Sequence, residues 1–341
     1  MGAFLLRRLL WIFPTLLGIT LVTFLAVHAA PGELGARDTD VENSASGGGN
    51  DERALFRAEH LLDAPLWKQY LHFLGPFDLS AGGSARFGGS GEHPWHGVLA
   101  LDLGTEFQRP GVPVLPEIGA RLAVTGPLAL LAAFLLFALG VPLGVASALC
   151  ADGLVDRIAR GLLLALHSLP GYWFGLLLLF AFGASGLAWL PVLGLGDEGD
   201  LVDRARHVVL PLATLTLPGL AYVARQTRGA VLELLEQDFV RAARARGLSE
   251  RDVVVKHVVR NALPQVVTLF GSILPALLGG SVIVESLFGL PGLGLYAFEG
   301  LSARDLNVIL GVTTVTAGLT LVAILAADLL CAWLDPRVRE R

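Results

Sequence analysis

Six apolar runs recur along the chain between polar segments, each about as long as the ~20 residues a helix needs to cross a bilayer. They fall at Leu9 to Ala30, Leu122 to Cys150, Gly161 to about Gly183, about Val208 to Val223, Gln265 to about Phe288, and Val308 to Trp333. Gly140, Pro142 and Gly144 punctuate the second run and predict a kink and close helix packing. Gly279, Gly280 and Ser281 give the fifth a small-residue face suited to close contact. The only long polar region, Pro31 to about Gly119, is net acidic and is expected outside the membrane. Within it, Leu61 through Leu71 predicts a short amphipathic helix, while Ser44 to Asn50 and Gly75 to Ala100 are rich in Gly and Ser. The expected organisation is a first helix with its outer region over residues 1–118 and a five-span core over 119–341, with a loop over 225–264. The fold class is all-α, a polytopic integral membrane protein.

Composition agrees. The 341 residues are 54% hydrophobic and 16% charged, with a mean hydropathy of +0.64. The net charge of -5 says little, because orientation follows where Lys and Arg fall. With both termini cytoplasmic, 15 of the 25 basic residues lie on the cytoplasmic side, Arg7 and Arg8 among them, and the short outer loops hold just Arg204, Arg206 and Arg304. His28-Ala29-Ala30 could pass for a signal-peptidase site, but the apolar run before it is longer than a signal's roughly 7 to 15 residues, so an uncleaved first span is expected. Cys150 and Cys331 fall at the ends of apolar runs and are expected to be reduced and structural.

Between the fourth and fifth runs, Gln237 to Pro264 is strongly charged. Leu232, Leu235, Phe239, Ala242, Ala243 and Arg246 recur at helical spacing and predict one apolar, small-residue face. Gly247 can end that helix in a left-handed turn. Ser249 with Asp252 resembles a capping box, so a second helix is expected from Glu250, with Val254, His257, Val258 and Asn261 on one side. Pro264 marks the start of the next apolar run. Alanines at a contact face let another protein's backbone approach, and arginines grip carboxylates or carbonyls. By residue type alone, a solvated linker between spans fits equally well.

The segment around Arg241, Ala242, Ala243 and Gly247, followed by Leu248, His257, Arg260 and Asn261, resembles the EAA loop of ABC importer permeases of the dipeptide/oligopeptide/nickel family. Arg241 stands where the wider superfamily has Glu. The opening segment resembles that family at Arg7, Arg8, Pro14, Phe24, Pro31 and Gly32, as do Asp102-Leu103-Gly104, Leu166 to Gly175 (a Ser-x-Pro-x-x-Trp-x-Gly pattern) and Asp335-Pro336-Arg337. Val284 to Gly294 resembles the family's signature through Glu285, Phe288, Pro291, Gly292 and Gly294, expected to act in gating or structure. Glu285 is too costly to face lipid and is expected inside the bundle or at an interface. The resemblance implies a type I importer permease in the inner membrane. Its partners would be a second homologous permease, two cytoplasmic ATPase subunits, an extracytoplasmic binding protein and membrane lipid, with no nucleic acid. It further implies that the loop is a coupling helix seated in an ATPase groove. Asp238, Phe239, Ala242, Ala243, Gly247 and Leu248 are the expected contacts, with Arg241, Arg244, His257, Arg260 and Asn261 around them.

Some chemistry is missing. A phosphate-binding loop needs a Lys after a Gly-rich turn, and the two lysines, Lys68 and Lys256, lie in no such loop. ATP and Mg are therefore expected on separate ATPase subunits, with no cofactor, metal or catalytic residue on this chain. His93 and His96 beside Glu92 have metal-ligand spacing, but Pro94 disfavours a helix, so they are expected to be plain exposed histidines. His167, near the cytoplasmic end of the third span, is a lesser candidate for a transport role. Two rival classes stay open. Gly183-Ala184-Ser185-Gly186 has the spacing of an intramembrane serine protease, which also needs a His at depth in a later span; His207 and His257 lie at a boundary and in the loop. A proton-coupled carrier wants carboxylates near the midplane, whereas Glu285 and Asp328 fall near span ends. Peptides lead as substrate, with nickel chelates and oligosaccharides open.

Overall fold

The computed structural model describes residues 2–32, 34, 54–58, 60–75, 97–183, 186–197 and 199–334. His93, His96, Ser185 and Asp335-Pro336-Arg337 lie outside the described residues. The helices in chain order are α1 (Gly2–Ala29), α2 (Leu66–Leu74), α3 (Val114–Leu149), α4 (Leu154–Ser168), α5 (Gly171–Phe182), α6 (Leu201–Leu235), α7 (Asp238–Ala245), α8 (Glu250–Phe288), α9 (Leu293–Ser302) and α10 (Leu306–Leu334). No strand occurs among the described residues, where β-type pairing is limited to an isolated bridge between Thr105 and Pro113. Within α1, α3, α6, α8 and α10 lie five stretches long and apolar enough to cross a membrane. In a bilayer, only helices satisfy every backbone N–H and C=O within one segment.

The third span departs from expectation. Gly161 to Gly183 is not one helix: α4 and α5 meet at a bend of 100°, and the pair together makes the sixth candidate span. Pro170 has no N–H to donate and disfavours helix at the residue before it. Leu169 accordingly turns extended, at φ -83° and ψ 132°. The Ser-x-Pro-x-x-Trp-x-Gly pattern is thus the break itself. The loop expected over 225–264 is also largely helical. α6 runs on to Leu235, beginning at Asp200, whose carboxylate accepts from the N–H groups of Val202 and Asp203. Leu232 and Leu235 therefore belong to α6 and not to the helix of Phe239. At the other end, α8 passes through Pro264 without stopping, after a π-helical stretch over Val253–Val259.

The chain forms two compact units. One comprises Met1–Leu6, Thr125–Gly294 and Leu319–Arg341. Ala129, Ala132, Ala133 and Leu136 of α3 pack there with Leu220 and Val223 of α6 and Ile273 and Leu277 of α8. Lipid tails are as apolar as these side chains, so association rests on close fit. A Cβ on Gly140 would lie 2.8 Å from the Val223 side chain, and one on Gly144 2.5 Å from the Ala224 carbonyl. On Gly175 it would meet Leu287 at 2.6 Å. Of the expected small-residue face, Gly279 has nothing within 4 Å of that position, whereas Ser281 is buried.

The other unit comprises Arg7–Val124 and Leu295–Gly318. Phe24, Phe73, Phe107, Leu306 and Leu310 are its core. The amphipathic helix expected from Leu61 begins at Leu66, after Pro65. Arg304 caps the C-terminal end of α1, donating to the carbonyls of Val27 and Ala30 at 3.1 and 2.9 Å and to that of Pro31. Asp305 caps the start of α10 through the Val308 N–H and accepts a second bond from Phe107 N–H. Its burial pushes the carboxyl up to about 6 against those two bonds. Buried Glu106 accepts from the Tyr296 hydroxyl at 2.7 Å and twice from Arg109 at 2.6 Å. That pairing raises the Arg109 guanidinium above its usual range.

Candidate functional site

The short helix α7 stands between α6 and α8, and its two faces have different fates. Val240 and Ala243, one turn apart, are 0% and 4% exposed. They pack against Ala148, Ala230, Val231, Val253, Val258 and Ala262. Ala243 is thus taken up by the chain's own packing and is not on the free surface, in contrast to the expected face that included it. Adjacent helical residues differ by about 100° around the axis, so Ala242 points out where Ala243 points in. The outward face carries Asp238, Phe239, Arg241, Ala242, Arg246 and, past the helix end, Gly247 and Leu248. Phe239 and Leu248 are 39% and 41% exposed. Two large apolar side chains thus stand exposed beside an alanine and several arginines.

Local chemistry fixes this helix tightly. Gly247 sits at φ +80°. Its N–H donates to the Arg244 carbonyl at 2.9 Å while the Leu248 N–H reaches back to that of Ala243, the Schellman arrangement. Ser249 then opens α8: its Oγ accepts from the Asp252 N–H at 3.2 Å and donates to the Asp252 carboxylate at 2.7 Å. Arg244 grips Glu250 with two bonds of 2.8 and 3.2 Å, tying α7 to α8 across the turn. Arg241 pairs loosely with Asp238 at 3.5 Å. Asn261 donates to the His257 carbonyl at 2.6 Å, so it serves the backbone of α8 itself. His257 is half-buried, and Arg260 is exposed. Of the three arginines expected to face a partner, Arg241 and Arg260 are the freer and Arg244 is spoken for.

At the far end of α8 the signature residues converge. Glu285 is 0% exposed and accepts from the Thr125 hydroxyl at 2.7 Å, and that hydroxyl accepts from the Leu293 N–H at 2.7 Å. Gly289 ends α8 at φ +60°, and Phe288 and Leu290 are buried. Pro291 is exposed at the turn. A Cβ on Gly292 would fall 2.3 Å from the Glu285 carboxyl carbon, and one on Gly294 2.7 Å from the Val282 backbone. Both glycines are required by close approach, one to the carboxylate and the other to the helix. Thr125 was missed because nothing in its neighbourhood marks it. Asp156, in the first turn of α4, is 0% exposed and is held by Arg228 at 2.9 Å, Arg160 at 3.0 Å and the Ser147 hydroxyl. Val240, which the expected face left out, lies three positions before Ala243 and shares its buried side.

Residues 140–340 match the family described as binding-protein-dependent transport system inner membrane component. The chain belongs to that family. Permeases of this family include relatives that match over nearly the full length of both chains. The oligopeptide transport system permease protein AppB of Bacillus subtilis is 35% identical over 99% of each chain. The dipeptide transport system permease protein DppB of Escherichia coli is 32% identical over 99% of each, and the di/tripeptide permease protein DppB of Pseudomonas aeruginosa 34% identical over 100% of each. Among solved structures, an inward-facing form of the MetNI methionine ABC transporter matches 64% of this chain and 96% of its own, with a TM-score of 0.53 at 20% identity, which shows a shared fold. This permease is accordingly a multi-pass membrane protein and a component of an ABC transporter, not an enzyme.

Proposed function

We propose that the chain is the transmembrane permease subunit of an ATP-driven importer that carries peptides, or related solutes such as nickel chelates, across the cytoplasmic membrane. Three full-length relatives named for oligopeptide, dipeptide and di/tripeptide transport favour peptides. The observation that carries the coupling role is the divided helix α7: anchored by Val240 and Ala243, it leaves Phe239, Ala242 and Leu248 outside. The complete importer would pair this permease with a second, homologous one. Two ATPase subunits would bind ATP and Mg, and a binding protein would deliver substrate from outside. Both termini and α7 lie on the cytoplasmic side in this reading, in keeping with the basic residues clustered there. ATP-driven closure of the ATPase pair moves α7, and α6 and α8 move with it, switching access from inside to outside.

The test is purification of the tagged permease from native membranes in mild detergent, followed by identification of its companions. Recovery of ATPase subunits that crosslink to a cysteine placed at Ala242 is the expected result. Loss of both transport and that crosslink in a Phe239→Ala variant would also fit. A permease that comes out without any ATPase, even after crosslinking, would overturn the coupling role.

A further inference from the structure

Between α4 and α6 lies a cavity of about 410 Å³, within the ~300–1,000 Å³ range of small-ligand sites. Arg160, Arg225, Arg228 and His167 line it, together with Leu163 and Leu164. The charges do not balance. Arg228 and Arg160 share Asp156, and Arg160 also reaches Asp152 at 3.6 Å. Arg225 is exposed and has no hydrogen bond or ion pair among the described residues. Three guanidiniums thus face two carboxylates, and one cation is left to the cavity.

The apolar surroundings narrow the ligand. α4 is amphipathic: Asp156, Arg160, Leu163 and His167 follow one face, while Leu154, Ile158 and Leu162 stand exposed on the other. Leu164 lines the cavity and is itself 63% exposed, so the basic chamber has an apolar edge facing outward. A group that satisfies both features has an anionic head and a hydrocarbon tail.

We infer that this cavity holds the headgroup of an anionic phospholipid of the cytoplasmic leaflet, its phosphate beside Arg225 and its acyl chains along the exposed side of α4. Basic pockets between membrane helices at the cytoplasmic surface suit such headgroups, each Lys or Arg adding ~1 kcal/mol. Arg228 and Arg160, already held by Asp156, shape the chamber, and Arg225 supplies the unmatched charge. The inference rests on the proposed orientation, which places this end of α6 at the cytoplasmic face.

The test uses the assembled importer in nanodiscs of phosphatidylglycerol or of phosphatidylcholine, with retained lipid counted by native mass spectrometry after partial delipidation. Recovery of the ATPase subunits in the same spectra checks the permease reading separately. The expected result is retention of phosphatidylglycerol over phosphatidylcholine. Arg225→Gln should retain about fivefold less phosphatidylglycerol, and Arg225→Lys should keep it. Equal retention of the two lipids by the unaltered complex, or unchanged retention in Arg225→Gln, would overturn the inference while leaving the importer intact. Displacement of phosphatidylglycerol by excess inorganic phosphate would also overturn it, assigning the cavity to a soluble anion.

Discussion

Truncating Phe239 tests the docking surface without disturbing the fold that presents it. The ring is 39% exposed on the outer face of α7. An aromatic side chain offers about 200 Å², so about 80 Å² is open to a partner. At ~25 cal/mol per Å², covering that area is worth about 2 kcal/mol, or about 30-fold in affinity. Phe239→Ala should therefore weaken capture of purified ATPase subunits by the detergent-solubilised permease about 30-fold. Its own thermal unfolding should shift little, because the buried anchors Val240 and Ala243 are untouched. The assay is a titration of ATPase subunits onto immobilised permease, paired with an unfolding curve of the permease alone. Unchanged capture would refute the assignment of this face. Weakened capture accompanied by a comparable fall in unfolding temperature would show that Phe239 holds the permease together instead.

Ala243→Trp should lower folded yield and unfolding temperature, since inserting a large ring into a packed site costs ~1–3 kcal/mol or more; Ala242→Trp should keep both and abolish coupled ATP hydrolysis, and the reverse pattern would exchange the two faces. Thr125→Val keeps the shape but removes the donor to buried Glu285, so a loss of ~1–3 kcal/mol is expected in unfolding titrations, and no loss would show that Thr125 adds nothing to the carboxylate's support. Asp305, pushed up to about 6 by burial, binds its proton more tightly folded than unfolded, where the ordinary value is ~3.9. Its ionisation therefore opposes folding: its contribution to stability should fall as pH rises from about 4 through 6, by up to about 3 kcal/mol, then level off. Unfolding temperatures measured from pH 5 to 7 should show this slope in the unaltered protein and not in Asp305→Asn; equal slopes would refute it.

Much of this architecture was open to reading because bilayer length and backbone chemistry leave strong marks. The apolar runs gave the spans, Gly247 announced the left-handed turn, and Ser249 with Asp252 announced the helix that follows. What escaped depends on direction and distance. The run Gly161 to Gly183 carries His167 and Ser168 near its middle, but it is Pro170 that signals that the helix must break there. Ala242 and Ala243 are the same residue type one position apart, so composition cannot tell which one is buried. Leu232 and Leu235 kept helical phase with Phe239 in the sequence, yet the turn at Glu236 and Gln237 puts them on a different helix. Arg304 caps a helix more than 270 positions earlier, a pairing that no local pattern encodes.

The continuity of α8 matters most for mechanism. Had Pro264 ended a helix, motion at the proposed docking surface would have to cross a flexible joint before reaching the membrane span. Instead, α8 comprises 39 residues from Glu250 to Phe288, or ~58 Å at 1.5 Å per residue. Proline at this position removes one backbone donor, and the π-helical turns just before it, with Asn261 bonded to the His257 carbonyl, accommodate the change without a break. One end of this rod is clamped to α7 by Arg244 and Glu250; the other holds Glu285, tied through Thr125 to α3 and to the turn after Phe288. A displacement imposed on α7 therefore has a continuous helical path along α8 to the Glu285 cluster. Glu285 is buried against Gly292, where no Cβ fits, so the cluster is closely packed. It must pass the displacement to α3 through Thr125 or release the Thr125 bond. That choice makes Glu285 and Thr125 the place where a permease locked in one conformation would be made by mutation.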